Sequence, residues 1–221
     1  MDNDIITVGS LKASVFMVTF FDCNVKRVYE VIKRIKPAYN KIDLVFVNSK
    51  LVFGLEHIIG IMKIINERKQ RKIISGIKNM EIEFLMRVCC TDQISAALNI
   101  NFGDKSNKDF VVVILSDEDQ KLIEIKKEFE RYGTVTCNTK KKNNNNNNKG
   151  SKTDVKGNSI TSYYNTQDRN SGMFITADNS KREYIIDMFF REKIKDSSSE
   201  LFKSDTEFLK FLIERAAISL G

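Results

Sequence analysis

Residues 14–21 read SVFMVTFF, and this continuous apolar run predicts a buried β-strand. Apolar side chains recur at helical spacing through 25–35, so a helix is expected to follow it. Two more apolar runs, 42–47 and 110–115, predict further strands, and helical patterns lie between and after them. The alternation predicts an α/β (α+β) fold, a single domain with a small mixed sheet flanked by helices.

The chain divides into three parts by composition. Residues 1–138 are predicted to form the core. Residues 139–180 include three lysines followed by six asparagines and few apolar side chains, which predicts a mostly disordered insert. Residues 181–221 are predicted to form a helical tail. The tail is expected to dock on the core, because one helical stripe carries Phe208, Leu209, Leu212, Ile213 and Ala216.

Composition excludes several classes of protein. The 221 residues carry a net charge of +7, one histidine and four cysteines. No apolar run reaches the roughly 18 residues that a membrane-spanning helix needs, and residues 1–4 do not resemble a secretory signal. No pair of cysteines forms C-x-x-C, which argues against a zinc site. We therefore expect a cytoplasmic protein with reduced thiols.

The sequence contains no recognisable catalytic motif. It lacks the Walker phosphate loop, the dinucleotide-binding glycine pattern, the nucleophile elbow of hydrolases and the kinase catalytic loop. His57, the sole histidine, lies in an apolar helical stretch, where we expect it to be half-exposed. A structural role is the first interpretation of this residue, and a ligand contact is the second. We expect no enzymatic activity and no cofactor.

The helix that follows the second strand ends in a basic segment. Its predicted polar face comprises Glu56, Gly60, Lys63 and Glu67. Residues 58–78 contain six basic residues and one acidic residue, Glu67. The basic residues are Lys63, Arg68, Lys69, Arg71, Lys72 and Lys78. Such side chains bind phosphates without sequence specificity, and His57 and Phe53 are candidates for contacts with bases. The alternative is that these lysines only solvate a loop.

A second informative stretch, residues 83–98, reads EFLMRVCCTDQISAAL. The spacing of its Glu, Arg, Gln-Ile and Ala-Leu resembles the small kinase-binding subunit of the KEOPS complex, the PRPK-binding family, in its archaeal-like branch. The residues that carry the resemblance are Glu83, Arg87, Gln93, Ile94, Ala97 and Leu98. A histidine-bearing helix after an apolar strand agrees with it, as does the Glu-Arg-Ala-Ala run at 214–217.

The resemblance implies a non-catalytic accessory subunit. The KEOPS complex makes N6-threonylcarbamoyladenosine in tRNA. Members of this family bind and stimulate a PRPK-like kinase, meet the threonylcarbamoyltransferase subunit only through that kinase, and help to hold the 3′ CCA end of tRNA. The tRNA contacts are then expected at His57, Lys63, Arg68, Lys69, Arg71 and Lys72.

Kinase binding in this family uses a partly apolar helical face. The stripe predicted for that face comprises Met86, Cys90, Ile94 and Ala97, although the same spacing also describes a core stripe. The alternative function is a stand-alone RNA- or small-ligand-binding α/β domain that shares only the fold. Co-purification with the kinase would separate the two hypotheses.

Overall fold

The computed structural model describes residues 5–21, 25–39, 41–72, 79–137, 177–190, 202 and 204–218. These residues form one sheet with helices packed on both of its faces, an α+β fold as predicted. The predicted disordered insert lies outside the described residues except for 177–180, so its disorder stays a prediction.

Five strands and seven helices make up the described part of the chain. The strands are β1 (Ile5–Val8), β2 (Leu11–Phe20), β3 (Asp43–Asn48), β4 (Asp109–Leu115) and β5 (Gly133–Cys137). The helices of the core are α1 (Val25–Ala38), α2 (Gly54–Gln70), α3 (Met80–Val88), α4 (Ile94–Phe102) and α5 (Asp119–Phe129). The tail supplies α6 (Asn179–Phe190) and α7 (Asp205–Ile218).

The sheet is antiparallel rather than mixed. Its strand order is β1-β2-β4-β3, and β5 pairs with β2 beyond the end of β1. Strands β2 and β3 both run antiparallel to β4, so they are parallel to each other, as a strand–helix–strand crossover favours. Strand β4 lies between them, which makes every described pairing antiparallel. The expectation of a mixed sheet was wrong because strand–helix alternation does not reveal an inserted strand.

Strand β4 forms the centre of the core, because both faces of the sheet are covered. On one face, Phe16, Phe46 and Phe110 pack with apolar residues of α1 and α5. On the other face, Val15, Val45 and Val113 pack with α2, α3 and the end of α7. Burial on both faces explains why β4 reads as a continuous apolar run instead of alternating with polar residues.

The tail helices add an outer layer, which confirms that the tail docks on the core. Phe208 and Leu212 of α7 are fully buried in a cluster with Phe53 and with apolar residues of α6. Gly60 of α2, expected on a polar face, is instead buried against α7. A Cβ atom at Gly60 would lie 2.5 Å from Ile213 Cδ1, so a larger residue there would require the Ile213 side chain to move.

A short hairpin at the start of the chain was missed by the sequence analysis. Strand β1 turns into β2 through Gly9 and Ser10, with Val8 opposite Leu11. Gly9 has φ +57°, a left-handed conformation that favours glycine. The side chain of Asn66 on α2 accepts hydrogen bonds from the backbone N–H and the hydroxyl of Ser10, at 3.2 and 3.0 Å. These bonds hold the turn against α2.

The outer edge of β3 is covered by side chains instead of another strand. The buried Asn101 of α4 accepts from Asn48 N–H at 2.8 Å and donates to Phe46 C=O at 2.9 Å, as a neighbouring strand would. Glu81 accepts from Leu44 N–H at 2.7 Å and also binds Lys36 Nζ at 2.6 Å. These contacts satisfy edge groups that could otherwise pair with another chain.

We expect Asn101→Leu to destabilise the protein by about 2 kcal/mol, because it leaves one buried N–H and one buried C=O without partners. Urea unfolding would measure the loss, and light scattering would report association through the uncovered edge. Asn99→Leu, on the exposed side of α4, is the matched control. Equal stability of the two variants would contradict a protective role for Asn101.

Candidate functional site

Among the described residues of the basic segment three lysines are exposed, two on α2 and one just after its end. Lys63, Lys69 and Lys72 are exposed and form no ion pair with another described residue. The two arginines differ: Arg71 pairs with Glu67, and Arg68 Nε lies 3.5 Å from Glu83 Oε1 with its side chain mostly buried. The lysines are therefore the side chains of this segment best placed to meet a phosphate.

His57 is completely buried, so the expectation of a half-exposed residue was wrong. Its Nδ1 accepts a hydrogen bond from Phe53 N–H at 3.3 Å, and Nε2 has no partner among the described residues. Phe53 is also buried, against Phe208 of α7. Neither ring is accessible for stacking with a base. The tail layer covers this end of α2, and the helical periodicity of α2 does not reveal that cover.

Burial also changes the acid–base behaviour of His57. Removal of the imidazole from water lowers its pKa from 6.5 to about 4, because the charged form loses its hydration. The ring is therefore neutral at pH 7. His57 belongs to the core, in agreement with the structural interpretation.

The conspicuous Glu83–Arg87 pair lies inside the protein. The Arg87 side chain is fully buried and donates through Nη2 and Nε to Glu83 Oε1, at 2.9 and 3.3 Å. Its Nη1 donates to the backbone carbonyl of Ala216, near the end of α7, at 2.6 Å. Burial lowers the pKa of Arg87, and the bonds and charge of Glu83 oppose this. The Glu83–Arg87 pair joins α3 to α7, and Arg68 of α2 approaches the same Glu83 carboxylate.

The stripe predicted to face a kinase is divided between core and surface. Met86 and Ala97 are buried in the core, so they are not exposed as expected. Their side chains point inward because α3 packs on β3 and the start of α4 packs on α3. Cys90 is half-buried, and Ile94 is 47 % exposed at the start of α4. Only the α3–α4 turn therefore presents this stripe to a partner.

The α3–α4 turn has an unusual backbone. Cys90 has φ +48°, a left-handed conformation more often adopted by glycine or asparagine. Thr91 N–H bonds to Met86 C=O at 3.1 Å, which ends α3 in the manner of a Schellman motif. Burial raises the pKa of the Cys90 thiol to about 12, although Arg215 opposes the shift. The thiol stays protonated and is a poor nucleophile.

Other kinds of site are scarce among the described residues. No group of three metal-ligating side chains occurs among the residues that the structure describes. Within the same residues, no helix is long and apolar enough to cross a membrane. No family model matches the chain, and no curated protein does either. The candidate site consists of the exposed lysines Lys63, Lys69 and Lys72 and the apolar turn at Ile94.

We expect Arg87→Met to destabilise the protein by about 3 kcal/mol, because it takes from the Glu83 carboxylate its fully buried partner and removes the bond to the Ala216 carbonyl. Urea unfolding measures the change. Arg131→Met is the control, because Arg131 pairs with Glu128 at the surface and such pairs contribute little. Similar losses in the two variants would contradict the structural role of Arg87.

The protein should lose stability as the pH falls, because the unfolded chain binds a proton at His57 more readily than the folded one. With a pKa of 6.5 unfolded and about 4 folded, the loss begins below pH 6.5. It should reach about 2 kcal/mol at pH 5 relative to pH 7.5. His57→Asn keeps an acceptor for Phe53 N–H but does not titrate. If its free energy of unfolding changes with pH as in the original protein, His57 is not the cause.

Proposed function

We propose that the protein is a non-catalytic accessory subunit of a KEOPS-type complex. In this role it binds and stimulates a PRPK-like kinase in the cytoplasm, contributes to tRNA binding, and meets the threonylcarbamoyltransferase subunit only through the kinase. The observation that carries the proposal is the resemblance at 83–98, whose Glu83, Arg87 and Ala97 together join α3, α4 and α7. These helices lie on one side of the sheet.

The surface proposed for the kinase centres on the α3–α4 turn. Ile94 is an exposed apolar side chain there, next to the half-buried Cys90. Cys90 packs against the apolar cluster that contains Leu209 and Leu212 of α7, so α7 borders the same turn. Ile218, in the last turn of α7, is 66 % exposed. Exposed apolar residues around a structured turn suit docking of an apolar protein face.

The proposed tRNA contacts are Lys63, Lys69 and Lys72. Lys63 and Lys69 lie on α2 and Lys72 lies just after its end, and their interaction with phosphates would be general rather than base-specific. The same exposed lysines also favour the alternative, a stand-alone RNA-binding domain that has no kinase partner. Kinase binding is therefore the property that separates the two functions.

We expect the protein to co-purify with the kinase subunit when the two are co-expressed, and Ile94→Glu to weaken that binding about tenfold or more, because a charge would be desolvated at the centre of the interface. Isothermal titration calorimetry with purified kinase measures the effect. Met188→Glu is the control, since Met188 is 42 % exposed on α6.

Two results would count against the proposal in different ways. Normal kinase binding by a folded Ile94→Glu protein would remove the α3–α4 turn from the interface. Absence of any complex between the unmodified protein and the kinase would favour the stand-alone RNA-binding domain.

A further inference from the structure

Helix α1 presents a second basic surface, on the opposite face of the sheet from α2. It carries five basic side chains and one acidic side chain, Glu30. The basic residues that are exposed or half-buried are Lys26, Arg27, Lys33, Arg34 and Lys36. The inner side of α1 packs on the sheet through Val28, Val31 and Ile35. The charge is therefore concentrated on the outward side.

Two of these cations are held in place by an aromatic ring. The guanidinium carbons of Arg27 and Arg34 lie 5.7 and 6.0 Å from the centroid of the Tyr132 ring. Arg27 Nη1 also binds Glu30 at 3.0 Å, which neutralises the single carboxylate of the helix. Positioned in this way, the arginines contribute positive potential without occupying the outermost face of α1.

An aromatic side chain is exposed between two lysines on that face. Tyr29 is 47 % exposed, and the centroid of its ring lies 5.9 Å from that of Phe102 at the end of α4. This contact supports one side of the ring and leaves part of it open to solvent. Lys26 and Lys33 lie three residues before and four residues after Tyr29, so both flank the ring on the same side of the helix.

We propose that Lys26, Tyr29 and Lys33 form a binding surface for single-stranded RNA, with a base stacked on Tyr29 and neighbouring phosphates at the two lysines. Proteins bind single-stranded nucleic acids through exposed aromatic rings that lie beside basic side chains. Every base can stack on such a ring, so this binding tolerates different sequences. The inference deepens the RNA-binding part of the proposed function. It also places stacking on an accessible ring, which the buried His57 cannot provide.

The α1 surface is separate from the lysines of α2. Asp43 and Glu81 lie near the start of β3, between Lys36 of α1 and Lys69 of α2. Lys36 binds Glu81 at 2.6 Å, and both Lys36 and Lys69 act on Asp43, whose pKa is raised mainly by burial and by Glu81. Acidic and basic groups balance at this corner, so each surface can be tested by its own variants.

The test uses a fluorescently labelled, unstructured RNA of about ten nucleotides, a length within the usual binding range of such surfaces. Fluorescence anisotropy at two salt concentrations measures binding to the full-length protein. Tyr29→Ala should weaken binding about tenfold at both salt concentrations, the effect expected when one base loses its stacking partner. Tyr29→Phe keeps the ring and should bind as the unmodified protein does.

Charge reversal should behave differently. Lys26→Glu with Lys33→Glu should weaken binding strongly at low salt and little at high salt, since these contacts act through phosphates. Lys108→Glu with Lys127→Glu removes the same charge from exposed positions elsewhere and is the matched control. Circular dichroism confirms that each variant is folded before binding is measured.

Three results would overturn this inference. Unchanged binding by folded Tyr29→Ala would remove the stacking site. Loss of binding only in Lys63→Glu with Lys69→Glu would restrict RNA contact to α2, which overturns the α1 surface but leaves the proposed function intact. Binding of phosphatidylserine vesicles, but not RNA, in a manner sensitive to the α1 variants would identify an anionic membrane as the ligand. Loss of kinase binding does not enter this test, because Ile94 is unchanged.

Discussion

The buried guanidinium of Arg87 is the constraint on which the arrangement of the helices depends. It donates both to Glu83 on its own helix and to the carbonyl of Ala216 near the end of α7. The last carbonyls of a helix lack intrahelical donors and carry partial negative charge, so a cation satisfies them in two ways. This contact holds the end of α7, and the same helix lies close to Gly60 and covers Phe53.

This packing buries Arg87 and Ala97, two of the residues that carry the resemblance to the kinase-binding family. Glu83, Arg87, Met86 and Ala97 lie at positions that build the layer of α3, α4 and α7, and they leave Ile94 outside. The residues that carry a resemblance to a family therefore need not lie on the surface that binds a partner. The proposed interface consists of two surface features that these residues hold in place. They are the α3–α4 turn and the neighbouring end of α7.

The central position of β4 has a similar effect on the sheet. With helices on both faces and β2 and β3 on both sides, β4 makes the core continuous and leaves two opposite outer layers available for charged residues. The lysines of α2 lie on one layer and those of α1 on the other. The edge of β3 between them is closed by Asn101 and Glu81, so that region presents few free backbone groups.

The sequence by itself determined the fold class, most helices and strands and the docking of the tail, because apolar periodicity is a local property. It indicated the basic end of α2 for the same reason. Only the tertiary structure decided that His57, Met86 and Ala97 are buried, since that depends on which helix covers them. Strand β4 pairs with β2 and β3, which are distant from it in the chain. The hydrogen bonds of Asn101 with the edge of β3 also join distant residues. Every residue has a backbone carbonyl, so no sequence pattern could have identified that of Ala216 as the partner of Arg87.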